Sequence, residues 1–192
     1  MAAGDTGLEE DLRALGDADS RRQEQAVRRI RGMGSTAVPR LLEELAADRL
    51  GGVGQARILR LLAQSGAPET LPPILAVMDD PRHVVREAAI EAVAEFDDPR
   101  ASAVLVRLLG DADTDVVKQA ASRLGERRDV GAVEALGRLL ERDEQGVRYS
   151  AARALANIGE PQAHQVLVAH LPQEADEEVR AVIEQARRKG SF

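Results

Sequence analysis

Small and apolar residues recur along this chain in narrow stripes, and the stripes themselves repeat. The segment from Val147 to Gly159 finds counterparts at a spacing of about 31 residues along the chain. Its first small or apolar column reads Ala26, Ile58, Ala89, Ala120, Ala151 and Val182, and the next residue reads Val27, Leu59, Ile90, Ala121, Ala152 and Ile183. Further along stand Ile30, Leu62, Val93, Leu124, Leu155 and Ala186. This spacing puts all three columns on one stripe of a 3.6-residue period, which predicts an amphipathic helix in every unit. An earlier stripe, Ile74, Leu105, Leu136 and Leu167 followed one turn later by Met78, Leu109, Leu140 and Leu171, predicts a first helix before it.

The polar punctuation agrees with hairpins of two helices. Gly34, Gly66, Gly159 and Gly190 follow the last apolar residue, where a left-handed C-cap favours glycine, while Asp97 and Arg128 take that place in the other units. Pro68, Pro99 and Pro161 share the next column, with Val130 as the exception, and proline there ends one helix and opens another. Between the paired helices lie acidic loops, Asp79-Asp80-Pro81, Gly110 to Asp115 and Gln173 to Glu177, whose carboxylates are placed to cap the helix that follows. One short hairpin cannot bury its stripe alone, whereas stacked neighbours make a continuous core.

Val85-Arg86-Glu87-Ala88-Ala89 and Val147-Arg148-Tyr149-Ser150-Ala151-Ala152, with the ending Ile158-Gly159-Glu160-Pro161, resemble the short HEAT-like repeats first described in phycocyanobilin lyases. Val117-Lys118 stands where that family favours Arg, and the fourth unit lacks the closing glycine. The resemblance implies an all-α, right-handed α-solenoid of about six HEAT-like hairpins, with repeats near 8–36, 37–67, 68–98, 99–129, 130–160 and 161–190 in a single domain. Residues 1–7 are expected to be disordered. The Arg21, Arg22, Arg28, Arg29, Arg31 run and the Arg187, Arg188, Lys189 end mark the outer units as polar caps. Such repeats serve mostly as interaction scaffolds, and fold alone does not assign function.

Composition sharpens this. Aromatics are 2 % of the 192 residues, with no Trp, while Ala, Leu, Glu and Arg, all good helix formers, dominate. A net charge of −7 argues against a general phosphate-backbone binder, because that affinity comes from clustered cations. The chain has no Cys, hence no thiolate chemistry, and no targeting segment at its start, which leads to the expectation of a cytoplasmic protein. Lys118 and Lys189 are its lysines, and the preference for Arg fits a GC-rich bacterial source.

Candidate chemistry is sparse. His164 and His170 fall on different faces of one helix, so no metal site is expected. Asp111, Asp113 and Asp115 resemble the start of a calcium loop, but Val116 and Ser122 stand where it needs Gly and Glu, and a capping turn is expected instead. Gly51, Gly52 and Gly54 read as an interhelical loop without the Lys of a phosphate-binding loop. Ser35 lacks a nucleophile elbow. No enzyme activity and no cofactor are expected.

The expected function is protein binding, as a scaffold or adaptor, on a concave groove lined by the second helices. Its candidate residues are Arg60, Glu87, Glu91, Glu95, Lys118, Glu126, Tyr149, Arg153 and Asn157. Glu87, Glu91 and Glu95 form a carboxylate stripe suited to a basic segment of a partner, and Tyr and Arg are types enriched at binding hot spots. Arg86 and Arg148 are expected to make ion pairs between repeats. Two other classes remain open: an accessory subunit or lyase acting on a bilin-type ligand, and a HEAT-like nucleic-acid binder, the latter disfavoured by charge and the lack of stacking aromatics.

Overall fold

The computed structural model describes residues 3–189, which contain α-helices, short 3-10 turns and no strand. They form two compact units that divide between Asp97 and Asp98. In the first, α1 (Ala3–Ala14) pairs with α2 (Ser20–Gly32), α3 (Val38–Ala47) with α4 (Gly51–Ser65), and α5 (Leu71–Ala76) with α6 (His83–Val93). In the second, α7 (Pro99–Leu108) pairs with α8 (Thr114–Glu126), α9 (Val133–Leu139) with α10 (Gln145–Ile158), and α11 (Pro161–His170) with α12 (Glu177–Lys189). Within each unit the second helices pack on one another, α2 on α4 and α4 on α6, then α8 on α10 and α10 on α12. Met1, Ala2 and Gly190 lie outside the described residues, and from Ala3 the segment expected to be disordered is placed in α1.

The apolar columns form the core. Ile30, Leu62, Val93, Leu124, Leu155 and Ala186 are all buried, as are Ile74, Leu105, Leu136 and Leu167 of the first helices. Outer helices bury less: α2 buries Ala26 and Ile30, whereas α4 also buries Ile58, Leu59, Leu61 and Leu62. Val27 of α2 and Val182 of α12 remain half-exposed. Small residues let the inner helices approach closely. At Gly125 of α8, an added Cβ would lie 2.6 Å from the Cα of Ala154 in α10.

The punctuation acts as its chemistry requires. Pro99 and Pro161 are the first residues of α7 and α11, and Asp19, Asp98 and Asp113 accept hydrogen bonds from backbone N–H groups that open α2, α7 and α8. The run expected as a loop, Gly51 to Gly54, is instead the first turn of α4. Gly54 is buried there, where an added Cβ would run into the Leu50 side chain and lie 3.5 Å from the Cα of Gly16 between α1 and α2, so close packing offsets its weak helix propensity.

Gly34, Gly66 and Gly159 have φ of 58°, 66° and 71°, and Arg128 adopts the same left-handed conformation at 52°. Arg128 ends α8 in a Schellman arrangement: its N–H reaches the Gly125 carbonyl, and the Asp129 N–H reaches Leu124. A side chain in this conformation costs about 1–2 kcal/mol, against which glycine loses about 0.4–1 kcal/mol through unfolded-state freedom. Arg128→Gly should therefore raise the thermal midpoint by about 1–3 °C, measured by circular dichroism; a fall would show that the Arg128 side chain contributes more than its strain removes.

No helix among the described residues is long and apolar enough to cross a membrane.

Candidate functional site

The sequence-predicted groove residues fall into separate groups in the two units. In the first unit, Arg60 projects from α4 and its Nε lies 2.7 Å from Oε2 of Glu91 on α6. Glu87, one turn earlier on α6, is half-buried and, among the described residues, in no ion pair. Glu95 is exposed but stands in the turn after α6 ends at Val93, so the three-carboxylate stripe is two helical residues and one turn residue. Ala56, one turn before Arg60 on α4, is buried in the core. Beside Arg60, the half-buried Arg57 donates to the Leu15 carbonyl at 3.0 Å and to Gln23 at 2.6 Å. Burial, and then the charge of Arg60, push its pKa down.

In the second unit, Lys118 pairs with Asp115 in the first turn of α8, and Glu126, at the end of that helix, accepts from Ser122 Oγ at 3.1 Å and Arg123 at 2.8 Å. Both therefore already have local partners. Tyr149, Arg153 and Asn157 occupy successive turns of α10, with the Arg153 guanidinium carbon 5.8 Å from the Tyr149 ring centroid, within cation–π range. They line an open cavity of about 340 Å³ between α10 and α12, to which His164, Gln185 and Lys189 contribute. The sequence pattern identified the α10 residues but not their partners on α12, because the relative rotation of the two helices decides which residues share a cavity.

The arginines at the start of the second helices have a structural task. Arg148 Nη1 donates to the carbonyls of Arg142 and Asp143, Arg86 Nη1 to those of Asp80 and Pro81, and Arg180 Nη1 to those of Leu171 and Glu174. Each grips the loop that precedes its own helix. Arg148 also makes the expected ion pair with the next hairpin, its Nε and Nη2 lying 3.0 and 3.1 Å from Glu174. Glu174 is 4 % exposed and further accepts from the Asp176 N–H at 2.9 Å and from His170 Nε2 at 3.0 Å. Burial pushes this carboxyl up, but the Arg148 guanidinium, the Asp176 amide and His170 outweigh it and hold the pKa at about 2.

His164 is occupied elsewhere, Nε2 lying 3.1 Å from the Ala186 carbonyl. Among the described residues no group of three or more His, Asp or Glu side chains is arranged to hold a metal ion. The buried Glu174 network is explained by fixing a loop, which leaves the exposed second-helix residues as the available surface.

Comparison with known proteins supports this architecture. Solved structures of like fold include a designed armadillo repeat protein in complex with the peptide (KR)4, at 20 % identity over 96 % of this chain and 99 % of that one, with a TM-score of 0.68. The complex of CpcE and CpcF of phycocyanin lyase from Nostoc sp. is 24 % identical over 80 % of this chain and 99 % of that one, with a TM-score of 0.63. An engineered protein is 25 % identical over 100 % and 99 % of the two chains, with a TM-score of 0.58. No curated protein matches the sequence. The sequence profile of HEAT repeats matches residues 38–124 and 118–187, which span most of the chain. With its paired helices and, within each unit, its stacked second helices in place, the chain belongs to the HEAT repeat family.

Proposed function

We propose that this chain is a non-enzymatic scaffold that holds a protein partner on the exposed residues of its second helices. The observation that carries this reading is the row of Tyr149, Arg153 and Asn157 on successive turns of α10, an aromatic ring and a guanidinium stacked at the mouth of an open cavity. Tyr and Arg combine a large contact area with directional polar groups, the chemistry of binding hot spots. That a designed armadillo repeat protein of like fold was solved in complex with a peptide supports a peptide-holding role for this fold.

A basic segment of the partner is received by the first unit. Glu87 offers a carboxylate that is in no ion pair among the described residues, and Glu91 can exchange its exposed pairing with Arg60 for a partner cation at little cost, since such surface pairs contribute about 0–1 kcal/mol. A fluorescent peptide of alternating Lys and Arg tests this by anisotropy. Joint replacement Glu87→Arg and Glu91→Arg should weaken its binding at least about tenfold with an unchanged circular dichroism spectrum. Unchanged affinity would sink the proposed site.

A further inference from the structure

We infer that the cavity between α10 and α12 is a receptor for Asp and Glu side chains of an extended acidic peptide segment. The inference deepens the scaffold reading and rests on it, since it names the partner chemistry for the second unit.

The argument begins with an imbalance of charge. Acidic residues outnumber basic ones in this protein, 33 to 26, and its arginines are mostly found with carboxylates. Arg29 lies on Asp11, Arg82 on Asp48 and Asp80, Arg100 on Asp98 and Arg142 on Glu144. The α10–α12 cavity departs from that rule. Among the described residues, Arg153 and Lys189 border it, no Asp or Glu does, and neither cation is in an ion pair. Arg153 lies over the face of Tyr149, a contact that orients the guanidinium and leaves its N–H edge for another acceptor.

The remaining polar groups fit the same ligand. Among the described residues the Tyr149 hydroxyl and the side-chain amides of Asn157 and Gln185 make no hydrogen bond, so the rim supplies neutral donors beside the two cations. His164 is held by the Ala186 carbonyl and helps shape the wall. Half-buried Val182 gives the floor an apolar patch. Two other openings lack this character: the one beside α1 and α2 is lined by Asp11, Asp17 and Glu10 as well as arginines, and the one between α2 and α4 sets Glu24 among Arg28, Arg31 and Arg57, of which Arg31 is already held by Gln64 and Arg57 by Gln23 and the Leu15 carbonyl. A carboxylate entering either would meet like charge, which costs affinity.

At about 340 Å³ the cavity admits a side chain with some flanking backbone rather than a folded surface. A guanidinium recognises a carboxylate through paired N–H donors, and the ammonium of Lys189 adds charge without fixing direction. Binding should therefore be selective for carboxylates and weaken with salt.

The test uses the full chain and three fluorescent peptides with amidated C-termini, alternating Glu and Leu, Gln and Leu, or Lys and Arg. The Glu peptide should bind at least about tenfold more tightly than the Gln peptide. Arg153→Glu should remove that preference, and Lys189→Glu should reduce it. Arg138→Glu, an exposed reversal on α9 outside the cavity, should leave it intact. Circular dichroism checks that each variant is folded, and Arg153→Gln provides a second variant without charge reversal. Equal binding of the Glu and Gln peptides, or a Glu preference that survives Arg153→Glu and Arg153→Gln, overturns the inference. If the Lys-Arg peptide still binds through Glu87 and Glu91, the scaffold reading stands without this pocket. Self-association of the chain that Arg153→Glu abolishes would assign the cavity to a second copy and also overturn the acidic-peptide assignment.

Discussion

Gly125→Val should destabilise the second unit by about 3 kcal/mol or more, lowering the thermal midpoint by about 6–12 °C. A Cβ at this position would lie 2.6 Å from the Cα of Ala154, 2.9 Å from its Cβ and 3.2 Å from its carbonyl oxygen. Two of these atoms are backbone of α10, so relief requires moving a helix rather than turning a side chain. Propensity alone points the other way, because glycine in a helix is about 1 kcal/mol worse than alanine. The sign therefore identifies the cause. Gly7→Ala in α1, where an added Cβ meets nothing within 4 Å, should stabilise instead. Urea unfolding measures both, and hydrogen exchange should show lost protection in α8 and α10 of the Gly125 variant. A Gly125→Val protein as stable as the parent would mean that α8 and α10 do not approach this closely.

The second large effect is expected at Glu174. Glu174→Ala removes the carboxylate that joins Arg148, His170 and the Asp176 amide, leaving donors buried without their acceptor, at a cost of about 3–5 kcal/mol. Acidity gives an independent readout. The folded-state pKa of Glu174 is about 2, below its ordinary 4.5, so its protonation opposes folding. Its contribution is complete above pH 4.5 and is lost as pH falls towards about 2. The stability gap between the parent and Glu174→Gln, measured by urea unfolding, should close across that interval. A gap that persists at the acid end would assign the loss to packing rather than charge. Arg148→Ala combined with Glu174→Ala should cost less than the sum of the two single changes, because both break the same contact.

The periodic columns made the hairpins legible, because Ile30, Leu62, Val93, Leu124 and Leu155 are each one buried side chain per unit on one helical stripe. Glycine and proline marked where helices end and begin for reasons local to the backbone. Where contact between helices decides, sequence was less informative. Gly125 looks like a weakness in a helix until Ala154 is beside it, and Gly51 to Gly54 read as a loop because the packing of Gly54 near Gly16 is not a local property. Arg148 was legible as an ion-pairing residue, but its grip on loop carbonyls was not, since backbone oxygens leave no trace in residue identity. Tyr149, Arg153 and Asn157 were visible as a row, yet Gln185 and Lys189 join them only through the register of α12 against α10. The carboxylate stripe shortened because α6 ends two residues before Glu95.

The arginines that hold the hairpin loops address carbonyl oxygens, and every amino acid brings one of those to the chain. A loop fixed in this way keeps its path whatever side chains it displays. Residues such as Asp143 and Ala175 are thus open to mutational drift or to deliberate grafting of new recognition chemistry, while Glu174, whose side chain itself is gripped, is not. The same device that steadies each hairpin makes its rim rewritable.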